Sequence, residues 1–276
     1  MSTKKILHHQ QITNEKNVEW IVFVHGAGGS TRTWRRQIDA FSEDYNLLLL
    51  DLRGHGKSVS ESLTEVDEYT FAVIAQDIID VMDHLKLEKA HFIGVSLGSI
   101  IIRKIEEKYN DRVSSIMLAG GIFDLDFKLR ILSVAAKGLS HIIGHRVLYK
   151  IFARIALPKG NHKKSREIFI QESQKMEYKE FGLWINLYHE LSPTLKALFK
   201  AKINAPSMVV MGSEDFLFYD TAKKYAIKFE NVWFEKVANC GHVVSIEQAT
   251  EFNNLCLKFL KELTEKKLEP QVIMAD

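Results

Sequence analysis

Short, mostly apolar runs recur along the chain at residues 20–24 (WIVFV), 47–50 (LLLL), 91–95 (HFIGV), 113–118, 207–211 and 232–237. Runs of this length, apolar at odd and even positions alike, are expected to be strands with both faces covered. Between them the apolar spacing changes to that of helices. Phe71, Ile74, Ala75, Ile78 and Met82 form one stripe; Ile100, Ile101 and Ile105 form another; Phe252, Leu255, Phe259 and Leu263 form a third. Strands alternating with helices need crossover connections, which predicts an α/β fold: a mainly parallel central sheet flanked by helices. Residues 5–12 are expected to add an edge strand at the N-terminal side.

One interval breaks the alternation. About 90 residues separate the run ending near Leu118 from the run starting near Ser207, far more than a simple βα connection needs. Its pattern is helical, with Leu132, Ala135, Leu139 and Ile142 on one stripe and Phe181, Trp184, Ile185 and Tyr188 on another. Gly138, Gly144, Pro158-Lys159-Gly160-Asn161 and Pro193 are expected to divide it into several helices. The pattern predicts a core made of residues 1–121 and 203–276, with residues 122–202 inserted as a helical cap.

Composition narrows the function classes. Of 276 residues, 46% are hydrophobic and 26% charged, as in an ordinary globular protein, and a net charge of +2 gives no basic footprint for nucleic acid. Cys240 and Cys256 stand sixteen apart with no metal-ligand spacing, which points to a reducing compartment and no disulfide framework. The N-terminal segment lacks the apolar run of a signal peptide, and no stretch approaches the ~20 apolar residues that span a bilayer. A cytoplasmic protein is expected.

The candidate chemistry begins at Gly94-Val95-Ser96-Leu97-Gly98, directly after one apolar run and at the start of a helical one. A turn this tight needs small residues two before and two after the serine; it lifts the hydroxyl above the sheet edge and aims the first helical N–H groups at an incoming oxyanion. Out of that context the motif would be a packing turn. A second glycine-rich loop, His25-Gly26-Ala27-Gly28-Gly29-Ser30, follows the run 20–24. It could be a flexible turn, or it could bring further backbone N–H groups to a reacting carbonyl. Neither G-x-x-x-x-G-K-[ST] nor G-x-G-x-x-G is present there, which disfavours phosphate binding. Asp215, in Gly212-Ser213-Glu214-Asp215, and His242, in Asn239-Cys240-Gly241-His242, each lie just past a strand end. Open α/β sheets place ligands at that edge.

These stretches, with Asp51-Leu52-Arg53-Gly54-His55-Gly56-Lys57-Ser58, resemble the α/β-hydrolase family, in its branch with a helical cap after the sixth strand. The resemblance spans residues 20–247. It implies that Ser96 is the nucleophile, His242 its general base and Asp215 the acid that orients the imidazole, with the N–H groups of Ala27 and Leu97 as the oxyanion hole. It implies no metal or organic cofactor, and an architectural role for residues 51–58, including Arg53 and His55. Asp124 is an alternative acid, and Asp215 is favoured because its local motif is the commoner setting. Ser96 in place of an aspartate disfavours the epoxide hydrolase and haloalkane dehalogenase branches; Ile100 in place of an arginine argues against the cyclohexadiene-carboxylate synthase branch. Cys240 is expected to be a packing residue. Phe123, Phe127, Trp184, Phe216 and Val243 are candidate substrate-binding residues.

Three functions remain open from the residues alone. One is hydrolysis of a carboxylic ester of a small or medium apolar acyl group. Another is a thioesterase, amidase or carbon–carbon bond hydrolase using the same triad. The third is a receptor-like protein that binds a small ligand with little turnover. The expected partner is a small molecule rather than nucleic acid, with no transmembrane segment and the oligomeric state open. Residues 124–202 carry 15 Lys plus Arg against 7 Asp plus Glu, so the cap could favour acidic substrates or peripheral contact with an anionic membrane.

Overall fold

The computed structural model describes residues 5–58, 63, 66, 68–125, 138–139 and 143–268. Its strands are β1 (His9–Ile12), β2 (Trp20–Val24), β3 (Asn46–Leu50), β4 (Ala90–Val95), β5 (Val113–Ala119), β6 (Ser207–Gly212) and β7 (Val232–Val237). They form one seven-stranded sheet in the order β1-β3-β2-β4-β5-β6-β7. β1 pairs antiparallel with β3, and every other pairing is parallel. The sheet is the mainly parallel one expected, with the antiparallel strand at its edge.

Side-chain alternation along the strands builds two cores. Val22, Leu48, Phe92, Ile116 and Val209 face one layer. It is closed by α2 (Phe71–His84) and α3 (Leu97–Lys108) and by Ala222 and Tyr225. Ile21, Phe23, Leu47, Leu49, Ile93 and Met117 face the other, against Phe41 of α1 (Ile38–Ser42) and Phe252, Cys256 and Phe259 near the C-terminal side. Strands buried on both faces carry no polar alternation, which is why they read as continuous apolar runs.

Between β5 and β6 the described residues form α4 (His145–Ala156), α5 (Lys163–Ser173), α6 (Tyr178–Asn186) and α7 (Tyr188–Lys200), with no strand among them. Gly144 caps α4, and residues 158–161 separate α4 from α5 as expected. Pro193 does not divide helices: it lies inside α7, and the break falls at Leu187 instead. Proline removes one helical N–H, and the buried Leu195 and Leu198 just beyond it hold the helix together by packing into the core. Most of the 132–142 stripe lies outside the described residues. Past β6 come α8 (Tyr219–Ala226), α9 (Val244–Glu247) and α10 (Ala249–Thr264). Among the described residues no helix is long and apolar enough to cross a membrane.

Candidate active site

Ser96 sits between β4 and α3 with φ 53° and ψ −119°. That is a backbone conformation few non-glycine residues adopt, and it costs of order 1–3 kcal/mol. The surroundings explain how it is held. A Cβ on Gly98 would collide with the carbonyl oxygen of Val24, and one on Gly94 would press on the Gly98 backbone at 3.0 Å. The turn therefore packs directly on the end of β2, with room for no side chain on either flank.

Three side chains from three strand ends meet above this turn. Ser96 Oγ lies 2.9 Å from His242 Nε2, and His242 Nδ1 lies 2.8 Å from Asp215 Oδ2. Asp215 and His242 are buried, with 1% and 3% of their surfaces exposed. An ionised carboxylate accepts only, so Nδ1 carries the proton and Nε2 is left to accept from the serine hydroxyl. Asp215 Oδ1 accepts the Phe218 N–H at 3.3 Å, and the Phe218 ring lies against the imidazole at 5.1 Å between centroids. Asp124 is exposed, and one of its oxygens accepts the N–H of Leu125. The acid beside His242 is Asp215.

The glycine-rich loop comes to the same place. A Cβ on Gly26 would stand 3.1 Å from Ser96 Cβ and 3.7 Å from the Leu97 nitrogen, so the backbone at Gly26-Ala27 runs beside the start of α3. Among the described residues, the N–H groups of Ala27 and Leu97 have no hydrogen-bond partner.

Residues 51–58 hold that loop. His55 Nε2 accepts the Gly28 N–H at 2.9 Å while its Nδ1–H donates to the Arg53 carbonyl at 3.0 Å. His25 Nε2 accepts the Leu52 N–H at 3.0 Å, and its Nδ1–H donates to the Gly26 carbonyl at 2.7 Å. Asp51 Oδ1 accepts the Thr31 N–H at 2.6 Å. Both imidazoles are fully buried and their rings lie 5.0 Å apart. Burial pushes His25 down to about 4; burial and then the His25 charge push His55 down to about 3. Both rings are neutral and each has one donor and one acceptor in use.

The chain matches the family model described as the alpha/beta hydrolase fold over residues 19–138. It is similar to 3-oxoadipate enol-lactonase 1 of Acinetobacter baylyi, 24% identical with 92% of each chain covered. It is also similar to a 2-hydroxy-6-oxononadienedioate/2-hydroxy-6-oxononatrienedioate hydrolase of Paraburkholderia phymatum, 25% identical over 88% of this chain and 87% of that one. The crystal structure of the enol-lactonase from Burkholderia xenovorans superposes with a TM-score of 0.78 at 20% identity, covering 93% of this chain and 96% of that one. The chain has the α/β-hydrolase fold.

The expected substrate-binding residues are distributed unevenly around this site. Val243 directly follows His242 and is buried, and Phe216 directly follows Asp215 and is exposed. Phe123 stacks on Tyr225 at 4.8 Å, its ring buried in the core. Trp184 donates its indole N–H to the Arg53 carbonyl at 2.9 Å and packs edge-on against His55 and Tyr69. Its surface is spent on holding the 51–58 loop. Phe127 lies outside the described residues. Cys240 is buried, and burial pushes its thiol far up from the range where it would ionise. Among the described residues no group of three or more His, Cys, Asp or Glu side chains is placed to hold a metal ion.

Two contributors to this site carried no signal that sequence reasoning used. Gly120, past the end of β5, lies against His242. Glu247 accepts the Gly241 N–H through Oε2 and the Val243 N–H through Oε1, both at 2.9 Å.

Proposed function

We propose that this α/β-hydrolase cleaves a carboxylic ester of a small or medium apolar acyl group, through an acyl-enzyme on Ser96. The observation that carries the reading is the continuous chain of hydrogen bonds Ser96–His242–Asp215, at 2.9 and 2.8 Å. Ser96 Oγ attacks the ester carbonyl while His242 Nε2 takes its proton, and Asp215 stabilises the imidazolium. The tetrahedral oxyanion is received by the Ala27 and Leu97 N–H groups; losing one such donor typically costs about 10²–10³ in rate. His242 returns the proton to the leaving alcohol, and water then repeats the sequence on the acyl-enzyme. The helices α4 to α7 act as a cap and bound the acyl group.

Carbon–carbon bond cleavage is the second reading, supported by the hydrolase of P. phymatum among the relatives. The enol-lactonases support the first, since a lactone is a cyclic ester.

A fluorophosphonate should add one label, at Ser96, and p-nitrophenyl esters should turn over. Ser96→Ala should lose up to about 10⁶-fold in kcat, the scale reached when a triad nucleophile is removed. Labelling elsewhere, or an active Ser96→Ala protein, removes the reading. Turnover of 2-hydroxy-6-oxo dienoates in preference to esters selects the second one.

A further inference from the structure

The loop that carries His242 is gripped from two sides. Glu247, with only 5% of its side chain exposed, brackets the base by accepting the N–H groups of the residues on either side of it. On the outer side of Gly241 lies His162, a fully buried side chain from the start of α5. A Cβ on Gly241 would stand 2.9 Å from His162 Cε1 and 3.0 Å from its Nε2, so the imidazole packs directly on the backbone preceding the base.

The same imidazole reaches the acid's loop. His162 Nδ1 accepts the Lys159 N–H at 3.4 Å, so Nε2 carries a proton, and Nε2 lies 2.8 Å from Glu214 Oε2 and 3.6 Å from Glu247 Oε2. Glu214 is the residue before Asp215, and its own N–H donates to the Cys240 carbonyl at 2.8 Å. Lys159 Nζ at 2.7 Å and Asn161 Nδ2 at 2.9 Å complete the carboxylate's partners, and Asn161 also donates to the Asn239 carbonyl at 3.3 Å. Residues 159–162 thus touch the neighbours of both Asp215 and His242.

Resting on the triad reading above, we propose that His162 is a positioning residue: with Glu214 and Glu247 it fastens the helical insertion to the acid and base loops and sets the reach of His242 toward Ser96. Ser96 follows β4 directly and Asp215 lies shortly past β6, whereas His242 lies further past the end of β7, in a loop whose placement depends on what holds Gly241 and Val243. A displacement of about 1 Å at a reacting group can cost about 10²-fold in rate.

The full chain carries the test, with three readouts: p-nitrophenyl ester kinetics, the rate of fluorophosphonate labelling at Ser96, and amide hydrogen exchange of residues 239–244. His162→Ala should lower kcat and labelling by about 10²-fold with KM within about two-fold, and exchange should quicken at 239–244 but not in β2 to β5. His162→Gln keeps an N–H for Glu214 and should recover most of the rate. A His162→Ala enzyme with unchanged kcat, or one whose loss is matched by faster exchange throughout the sheet and is not relieved by glutamine, overturns the proposal. If His162→Ala does not fold, Glu247→Gln, which keeps only one acceptor for the two N–H groups, should show the same kcat loss at constant KM; unchanged kcat there overturns it too. Absence of Ser96 labelling in the unaltered protein is seen before any variant is made, and it overturns the triad itself, and this inference with it.

Discussion

Gly120 and His242 share one space. A Cβ on Gly120, whose φ is +51°, would overlap the carbonyl oxygen of His242 and stand 3.3 Å from its Nδ1. Gly120→Ala therefore meets both a strained backbone conformation and the backbone and ring of His242. It should lower stability by more than about 1 kcal/mol and lower kcat as His242 is pushed aside. Gly182, inside α6 with open space where its Cβ would be, is the contrast. Gly182→Ala should raise stability by up to about 1 kcal/mol and leave kcat alone. Urea unfolding and ester kinetics on both variants check the pair, and an active, stable Gly120→Ala protein would contradict the packing described.

The acid can be assigned by exchange of charge for amide. Asp215→Asn should leave the fold intact and cut kcat by up to about 10⁴, because the amide no longer holds the imidazole in the tautomer that accepts from serine. Asp124→Asn should be near neutral. If Asp124→Asn is the more damaging change, the acid acts from the end of β5 instead.

Stability should fall with acid before the carboxylates titrate. His25 and His55 are held neutral in the fold, at about 4 and about 3, against 6.5 when exposed. With folded values lowered, the unfolded chain binds the extra protons. The stability linked to these rings is complete above about pH 6.5 and declines as pH drops toward 4. Each ring contributes about 1.4 kcal/mol per pH unit in that window. Urea midpoints should drop between pH 7 and 5 and stay flat above pH 7.5. A midpoint independent of pH from 7 to 5 would mean that the two rings titrate in the folded protein as they do in the unfolded chain.

The proposed cap predicts a substrate profile. On α4, Arg146, Lys150 and Arg154 are exposed beside Val147 and Ile151, so this surface is both basic and apolar. If the insertion bounds the acyl group, kcat/KM should rise from acetate to butyrate to octanoate esters, by up to about four-fold for each buried CH₂ at ~0.8 kcal/mol. KM for anionic esters should rise with salt as screening shortens to roughly 3 Å at 1 M. A flat chain-length profile with no salt effect would leave these helices a packing role alone.

The parallel strands were legible to within a few residues because a strand covered on both faces is apolar at successive positions. Ser96, Asp215 and His242 were legible because each follows such a run, and the sheet's topology brings those ends together. What escaped was whatever depends on a partner far away in sequence. His162 meets Glu214 across 52 residues, and nothing in Lys159-Gly160-Asn161-His162 announces it. Trp184 and Phe123 read as apolar surface for a pocket, but apolar spacing cannot reveal that an indole N–H is committed to Arg53 or a ring to Tyr225. Pro193 misled for a related reason, since local propensity yields to the packing of Leu195 and Leu198.

The hydrogen bond between Ser96 and His242 joins residues 146 apart, on either side of the helical insertion. During synthesis at about 5–20 residues per second, the histidine follows the serine by roughly 7 to 30 seconds. Throughout that interval the emerging polypeptide displays a serine with no base to deprotonate it. On the triad proposed above, reactivity would switch on only when β7 docks beside β6, and a nascent or truncated chain would be chemically quiet. Acquisition of the covalent label thereby becomes a clock for completion of the fold.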